Sequence, residues 1–170
     1  MSDETLLPGE EPTTRMTDWY DGVTRLPGPA FWQTVVAAES ARSVRFHRPA
    51  TVVLVEAFGL EGVLTQWGRD SAVGAVVDIG RILRDGCRAS DYVMRLSEAR
   101  FGLLLTETDE IAAINVVERL RARCQETLGA RSVAAGLAFG WASPRDGQTL
   151  VEVIVEAEGR LRREAEMTPN

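Results

Sequence analysis

Between Tyr92 and Thr106 two apolar runs, Tyr92-Val93-Met94-Arg95-Leu96 and Phe101-Gly102-Leu103-Leu104-Leu105-Thr106, flank a four-residue segment, Ser97-Glu98-Ala99-Arg100. Apolar stretches of strand length on either side of so short a polar tip are the pattern of a β-hairpin. The turn is expected at Ser97 to Arg100 and the returning strand at Phe101 to Thr106. A chain committed to this antiparallel pair must supply other strands or helices to cover it, because a lone hairpin is marginal in water.

The rest of the sequence supplies them by alternation. From Pro29 the residues Phe31, Val35, Val36, Ala38 and Ala41 have helical spacing, Pro29 suits a first turn, and Pro49 marks the end. Thr51 to Phe58 is a compact β-branched run and reads as a buried strand. Leu60 to Trp67 is expected as a short helix and Asp70 to Cys87 as a longer one. After the hairpin, Asp109 to Leu128 reads as a helix with Ile111, Ile114, Val117, Leu120 and Leu128 on one stripe. Ser132 to Trp141 reads as a strand, Ser143 to Gly147 as a loop, and Leu150 to Glu166 as the last helix. Trp32, Trp67 and Trp141 are expected as packing anchors. The product is an α+β fold, a mixed sheet with helices on its faces. Residues 1–17, with Pro8, Gly9, Pro12 and several acids, read as a disordered acidic tail, leaving 18–170 as one domain.

Composition then narrows the function. The net charge of -6 argues against a general nucleic-acid surface, although a local arginine cluster still suits a small anionic ligand. All 19 basic residues are arginine, which excludes a Schiff-base or P-loop lysine. Cys87 and Cys124 form no C-x-x-C and have no zinc spacing to His47, so they read as reduced core thiols and His47 as a surface residue. No metal or cofactor is expected. Without an apolar run of about 20 residues or a basic-then-apolar start, neither a membrane span nor a signal peptide is expected, and the location is read as cytoplasmic.

The hairpin and its approach, Arg88-Ala89-Ser90-Asp91, five residues, then Ser97-Glu98-Ala99-Arg100-Phe101, resemble the signature of GGDEF domains, the diguanylate cyclases: R-x-x-D, five residues, G-G-[DE]-E-F. Asp21-Gly22-Val23-Thr24-Arg25-Leu26-Pro27 is similar to that family's D-x-L-T-G-L-P. Trp67-Gly68-Arg69 stands for its Y-G-H, Ala134 to Ala138 for its S-x-G-h-A strand, and Ala157 to Asn170 for its last helix. The resemblance implies the α+β palm of nucleotidyl cyclases.

It also implies a degenerate, catalytically inactive site. Catalysis in the family needs carboxylates for divalent metal, because attack of a ribose hydroxyl on the α-phosphorus develops charge that the metal neutralises. Glu56 stands at the first metal position. At the tip, Ser97 and Glu98 replace the glycines, Ala99 the next acid, and Arg100 the metal-binding glutamate. Leu64 and Val73 replace the residues that read guanine, and Ala165 and Pro169 those that hold phosphate. Arg100 is open to two arrangements, an ion pair with Glu56 or exposure to solvent at the turn. By contrast Arg88 and Asp91 match the family's inhibitory site, with Arg42 where some members add an arginine. The resemblance therefore implies a cyclic di-GMP receptor, with one guanine between Arg88 and Asp91, an unidentified protein partner and a two-fold protein contact. The alternative is a ligand-independent interaction or dimerisation module.

Overall fold

The computed structural model describes residues 19–167; the tail read at 1–17 lies outside them. Nine elements follow one another: α1 (Pro29–Phe46), β1 (Ala50–Phe58), α2 (Leu60–Trp67), α3 (Arg69–Asp85), β2 (Tyr92–Arg95), β3 (Arg100–Thr106), α4 (Glu110–Ala130), β4 (Gly136–Ala142) and α5 (Leu150–Met167). The four strands form one sheet in the order β2-β3-β1-β4.

All three pairings are antiparallel, so the sheet expected as mixed is antiparallel throughout the described residues. The cause is topological. A helical crossover returns the chain in the same direction, but the crossover from β1 to β2 leaves room for β3 between them, and that from β3 to β4 straddles β1. Parallel strands are thus never neighbours. The register places Glu56 opposite Arg100 across β1 and β3.

Both faces of the sheet are covered, which is why β1 reads as a continuous apolar run rather than an alternating one. Val53, Val55, Phe101, Leu103 and Phe139 pack beneath α3 and α4 with Ile79, Leu83, Val117 and Leu120. On the other face Val52, Leu54, Met94 and Leu104 meet Trp32 and Val36 of α1 and Val153, Ala157 and Leu161 of α5. α5 lies so close to β4 that a Cβ on Gly140 would collide with the Ala157 carbonyl and with Leu161. No helix among the described residues is long and apolar enough to cross a membrane.

Three expectations are corrected. The buried stripe of α4 runs through Ala113, Val117, Leu120, Cys124 and Leu128, whereas Ile111 is 77% exposed and Ile114 42%. At about 100° per residue Ile114 and Ile111 fall well off that line, and small Ala113 and Cys124 allow the helix to approach the sheet. β4 begins at Gly136 rather than Ser132, because Ser132 (φ 55) closes α4 by donating its N–H to Gly129 O, with Val133 N–H on Leu128 O. Trp67 is 55% exposed, since it ends α2 beyond that helix's packed residue Val63; Trp32 is buried as expected.

Candidate functional site

The hairpin tip is closed from within. Leu96 and Ser97 both donate backbone N–H groups to Arg100 O, at 2.8 and 3.2 Å. Arg95 then binds the outer carbonyls, Nε to Ser97 O at 3.1 Å and Nη2 to Glu98 O at 2.7 Å, while its Nη1 lies 2.9 Å from both oxygens of Asp21. One guanidinium thus ties the tip to the turn at residues 21–24. Asp21 is in turn held by Thr24, whose N–H and Oγ1 donate to Oδ2 at 2.5 and 2.7 Å.

Beside the tip, Arg100 is paired rather than free. Its Nη2 donates to Glu56 Oε2 at 2.9 Å and its Nη1 approaches Glu158 Oε1 of α5 at 3.5 Å. Of the two arrangements left open by the sequence, the ion pair is the one formed. A guanidinium between two carboxylates supplies the positive charge there itself. Among the described residues no three His, Cys, Asp or Glu side chains gather into a group fit to hold a metal.

The pair is nevertheless open, with Arg100 35% and Glu56 40% exposed. Water screens such a pair, so its net contribution is small. Arg100→Ala is expected to lower stability by about 1 kcal/mol or less, read as a midpoint shift of a few degrees in a thermal melt. A loss of several kcal/mol would mean that Arg100 carries the local fold.

A separate concavity lies where α3 leads into β2. Arg88, Asp91, Glu107, Thr108 and Arg119 line it together with Gly86. Asp91 builds its wall: Oδ2 accepts the Arg88 N–H at 2.9 Å, Oδ1 accepts the Thr106 N–H at 3.1 Å, and the Asp91 N–H reaches Arg88 O at 3.1 Å. An aspartate three residues after Arg88 closes this turn as a side-chain cap, a local reason for the spacing. The Arg88 side chain is exposed and makes no hydrogen bond or ion pair among the described residues. Across from it, Arg119 of α4 donates Nη2 to Gly86 O at 2.8 Å. Burial pushes the neighbouring Cys87 thiol up to about 12, with the charge of Asp91 adding to the effect and that of Arg119 opposing it. Burial likewise raises Cys124 to about 12. Both thiols are therefore protonated and inert at neutral pH.

The residues singled out in the sequence fall into two groups. Glu56, Ser97, Glu98, Ala99 and Arg100 come together around the hairpin tip, and Arg88 with Asp91 around the concavity. Arg42 is not among the concavity's lining residues; its Nη1 pairs with the buried Glu39 at 3.0 Å on α1. Leu64 and Val73 are 49% and 36% exposed, on α2 and α3, Ala165 packs at the edge of the α1–α5 core, and Pro169 lies outside the described residues. Arg119, Glu158 and the clamp of Arg95 were not legible beforehand. Each depends on contacts between distant segments, and only the alternation of α5, with Ala157 and Leu161 inward, hints that Glu158 borders the sheet.

The family described as Diguanylate cyclase, GGDEF domain, matches residues 18–168. Diguanylate cyclase DosC of Escherichia coli K12 is 25% identical over 154 residues, 86% of this chain and 34% of that protein. The chain thus spans about a third of the length of this relative. Among solved structures, the GGDEF domain of DgcB from Caulobacter crescentus in complex with c-di-GMP has a TM-score of 0.80 at 14% identity, covering 89% of this chain and 92% of that one. Diguanylate cyclase SiaD of Pseudomonas aeruginosa, in complex with its activator SiaC, has a TM-score of 0.77 at 22% identity, covering 89% of this chain and 60% of that one. At such identities the structural likeness establishes the fold.

Proposed function

The chain belongs to the GGDEF family, and from that premise we propose that it binds cyclic di-GMP without making it and passes the bound state to a protein partner. The observation that carries this reading is the exposed Arg88 guanidinium, unpaired among the described residues, at the rim of a concavity shaped by Asp91 and lined also by Arg119. A guanidinium in this setting donates two parallel hydrogen bonds to guanine O6 and N7, and a second arginine across the concavity suits a phosphate. The DgcB domain solved with c-di-GMP has the same fold, which supports the ligand class. In this reading the domain is cytoplasmic, uses no cofactor, and presents the ligand to a second copy of itself or to its partner.

Loss of catalysis is supported at the other site. Arg100 is engaged by Glu56 and Glu158, the tip carries side chains instead of glycines, and Leu64 and Val73 offer a guanine edge no hydrogen bond. Incubated with GTP and magnesium or manganese, the purified protein is expected to form no cyclic di-GMP above a no-enzyme blank. Chromatography of the products checks this, and a time-dependent product peak abolished by Glu56→Ala would overturn it.

Calorimetric titration with cyclic di-GMP tests the receptor reading. Saturable heat is expected at micromolar ligand. A silent titration would favour the interaction module instead, a role for which the exposed Leu64, Trp67 and Val73 on α2 and α3 provide apolar surface.

A further inference from the structure

Arg119 is not alone on its face of α4. Arg123 follows it by four residues, and side chains so spaced on a helix stand one above the other. The structure locates both against the same backbone segment. Arg119 donates to Gly86 O at 2.8 Å, and Arg123 Nη1 lies 3.6 Å from the point a Cβ on Gly86 would occupy. Gly86 itself lines the concavity. Its lack of a side chain matters, because a Cβ there would collide with Leu120 Cδ2 and hold α4 and its two arginines away.

Charge balance separates Arg119 and Arg123 from Arg121, the third arginine of this helix. Arg121 is satisfied by Glu118 and Glu164, and Arg160 reaches across from α5 to Glu110. Arg123 is exposed and forms no ion pair among the described residues. Arg88, Arg119 and Arg123 therefore gather about Gly86, and neither Arg88 nor Arg123 is neutralised there. Of the carboxylates at the concavity, Asp91 is committed to two backbone N–H groups and Glu107 to Arg48. The result is a patch of net positive charge on a protein whose net charge is -6.

We infer that Arg123 is a phosphate-holding residue of the cyclic dinucleotide site, extending it along α4 past Gly86. This rests on the receptor reading above. The concavity holds only about 140 Å³, too little for a whole cyclic dinucleotide, so a ligand with one guanine over Arg88 overhangs Gly86, and its two phosphates require cations beyond Arg88. Arg119 and Arg123, one helical turn apart, present guanidinium groups along that path. Arg123 acts by charge and hydrogen bonding to phosphate, without reading the base.

The test is calorimetric titration with cyclic di-GMP of the wild-type chain and of Arg123→Ala, Arg123→Lys and Arg162→Ala at low and high salt, with a thermal melt of each. Arg162 is an exposed arginine on α5 and controls for the loss of one positive charge anywhere on the surface. Arg123→Ala is expected to weaken binding about tenfold with an unchanged melting midpoint, and its affinity to fall less steeply with salt than that of the wild type. Arg123→Lys, keeping the charge, is expected to recover a good part of the loss. Arg162→Ala is expected to bind as the wild type does. If the wild type binds while Arg123→Ala binds equally well, or loses no more than Arg162→Ala, the inference is wrong and the receptor reading stands. A wild type that gives no heat overturns both.

Discussion

Arg88→Ala is expected to weaken cyclic di-GMP binding by about ten- to a hundredfold and to leave the fold intact. A hydrogen bond from a charged donor contributes about 1.5 to 3 kcal/mol, and a tenfold change in affinity corresponds to about 1.4. Arg88 has two donors for one guanine, so the upper part of this range is within reach. Its side chain bonds to nothing else among the described residues, and a thermal melt of the variant should therefore overlay that of the wild type. Asp91 differs in this respect. Asp91→Ala removes the acceptor of the Arg88 and Thr106 N–H groups together, so a fall in affinity there is accompanied by a fall in melting temperature. Asp91→Asn keeps an acceptor for one of the two and is expected to lie between. Replacements at Glu56 or Arg100 are expected to leave affinity unchanged, since those residues pair with one another at the hairpin tip. Binding that survives Arg88→Ala at full strength would place the ligand elsewhere on the protein.

The contrast between Arg88 and Asp91 also marks the limit of what the linear sequence discloses. Local patterns were legible. The β-branched run at Thr51 to Phe58, the hairpin about its four-residue tip and the helix from Pro29 form at those places, because spacing and turn chemistry act within a few residues. The pairing of Glu56 with Arg100 was legible as one of two arrangements, and strand register decided it by setting the two residues opposite each other. Packing is less legible in the sequence. In α4 the large Ile111 and Ile114 drew the expected stripe outward, while small Ala113 and Cys124 occupy the buried line, which depends on how near the helix lies to the sheet. The α+β class followed from alternation of helices and strands, but strand direction did not, because that depends on which strand inserts between two others. Arg119 and Glu158 join their sites across long stretches of chain, and no motif in one segment announces a partner in another. Asp91 illustrates a third case. Its identity and spacing suit ligand chemistry, and its carboxylate also has a structural task that the same spacing produces.

The largest effect on stability is expected at Arg95, where Arg95→Ala is expected to cost about 2 kcal/mol. Its side chain is 11% exposed and that of its partner, Asp21, 21%, so solvent screens this pair far less than that of Arg100. Removing the arginine takes the cation from the Asp21 carboxylate, which keeps its Val23 and Thr24 donors, and hands the exposed Ser97 and Glu98 carbonyls to water. Acid sensitivity supplies an independent reading of the same contact. Burial pushes the Asp21 carboxyl up, but the Thr24 hydroxyl, the Thr24 N–H, and the hydrogen bond and charge of Arg95 together outweigh it and hold the group below the ordinary carboxylate value. A carboxyl lowered on folding stabilises the native state fully above its unfolded pKa, and that stabilisation is lost as pH falls through the native value. The wild type should therefore lose stability from Asp21 on acidification below about pH 4, and Arg95→Ala should lose less over the same interval because part of the lowering has been removed. Denaturant melts of the wild type, Arg95→Ala, Asp21→Asn and the double variant, at neutral and acidic pH, measure both effects. Coupling between the two single changes at neutral pH that shrinks in acid is the expected result. Additive changes, or an effect of Arg95→Ala below 1 kcal/mol, would show that the hairpin tip holds its shape without the turn at residues 21–24.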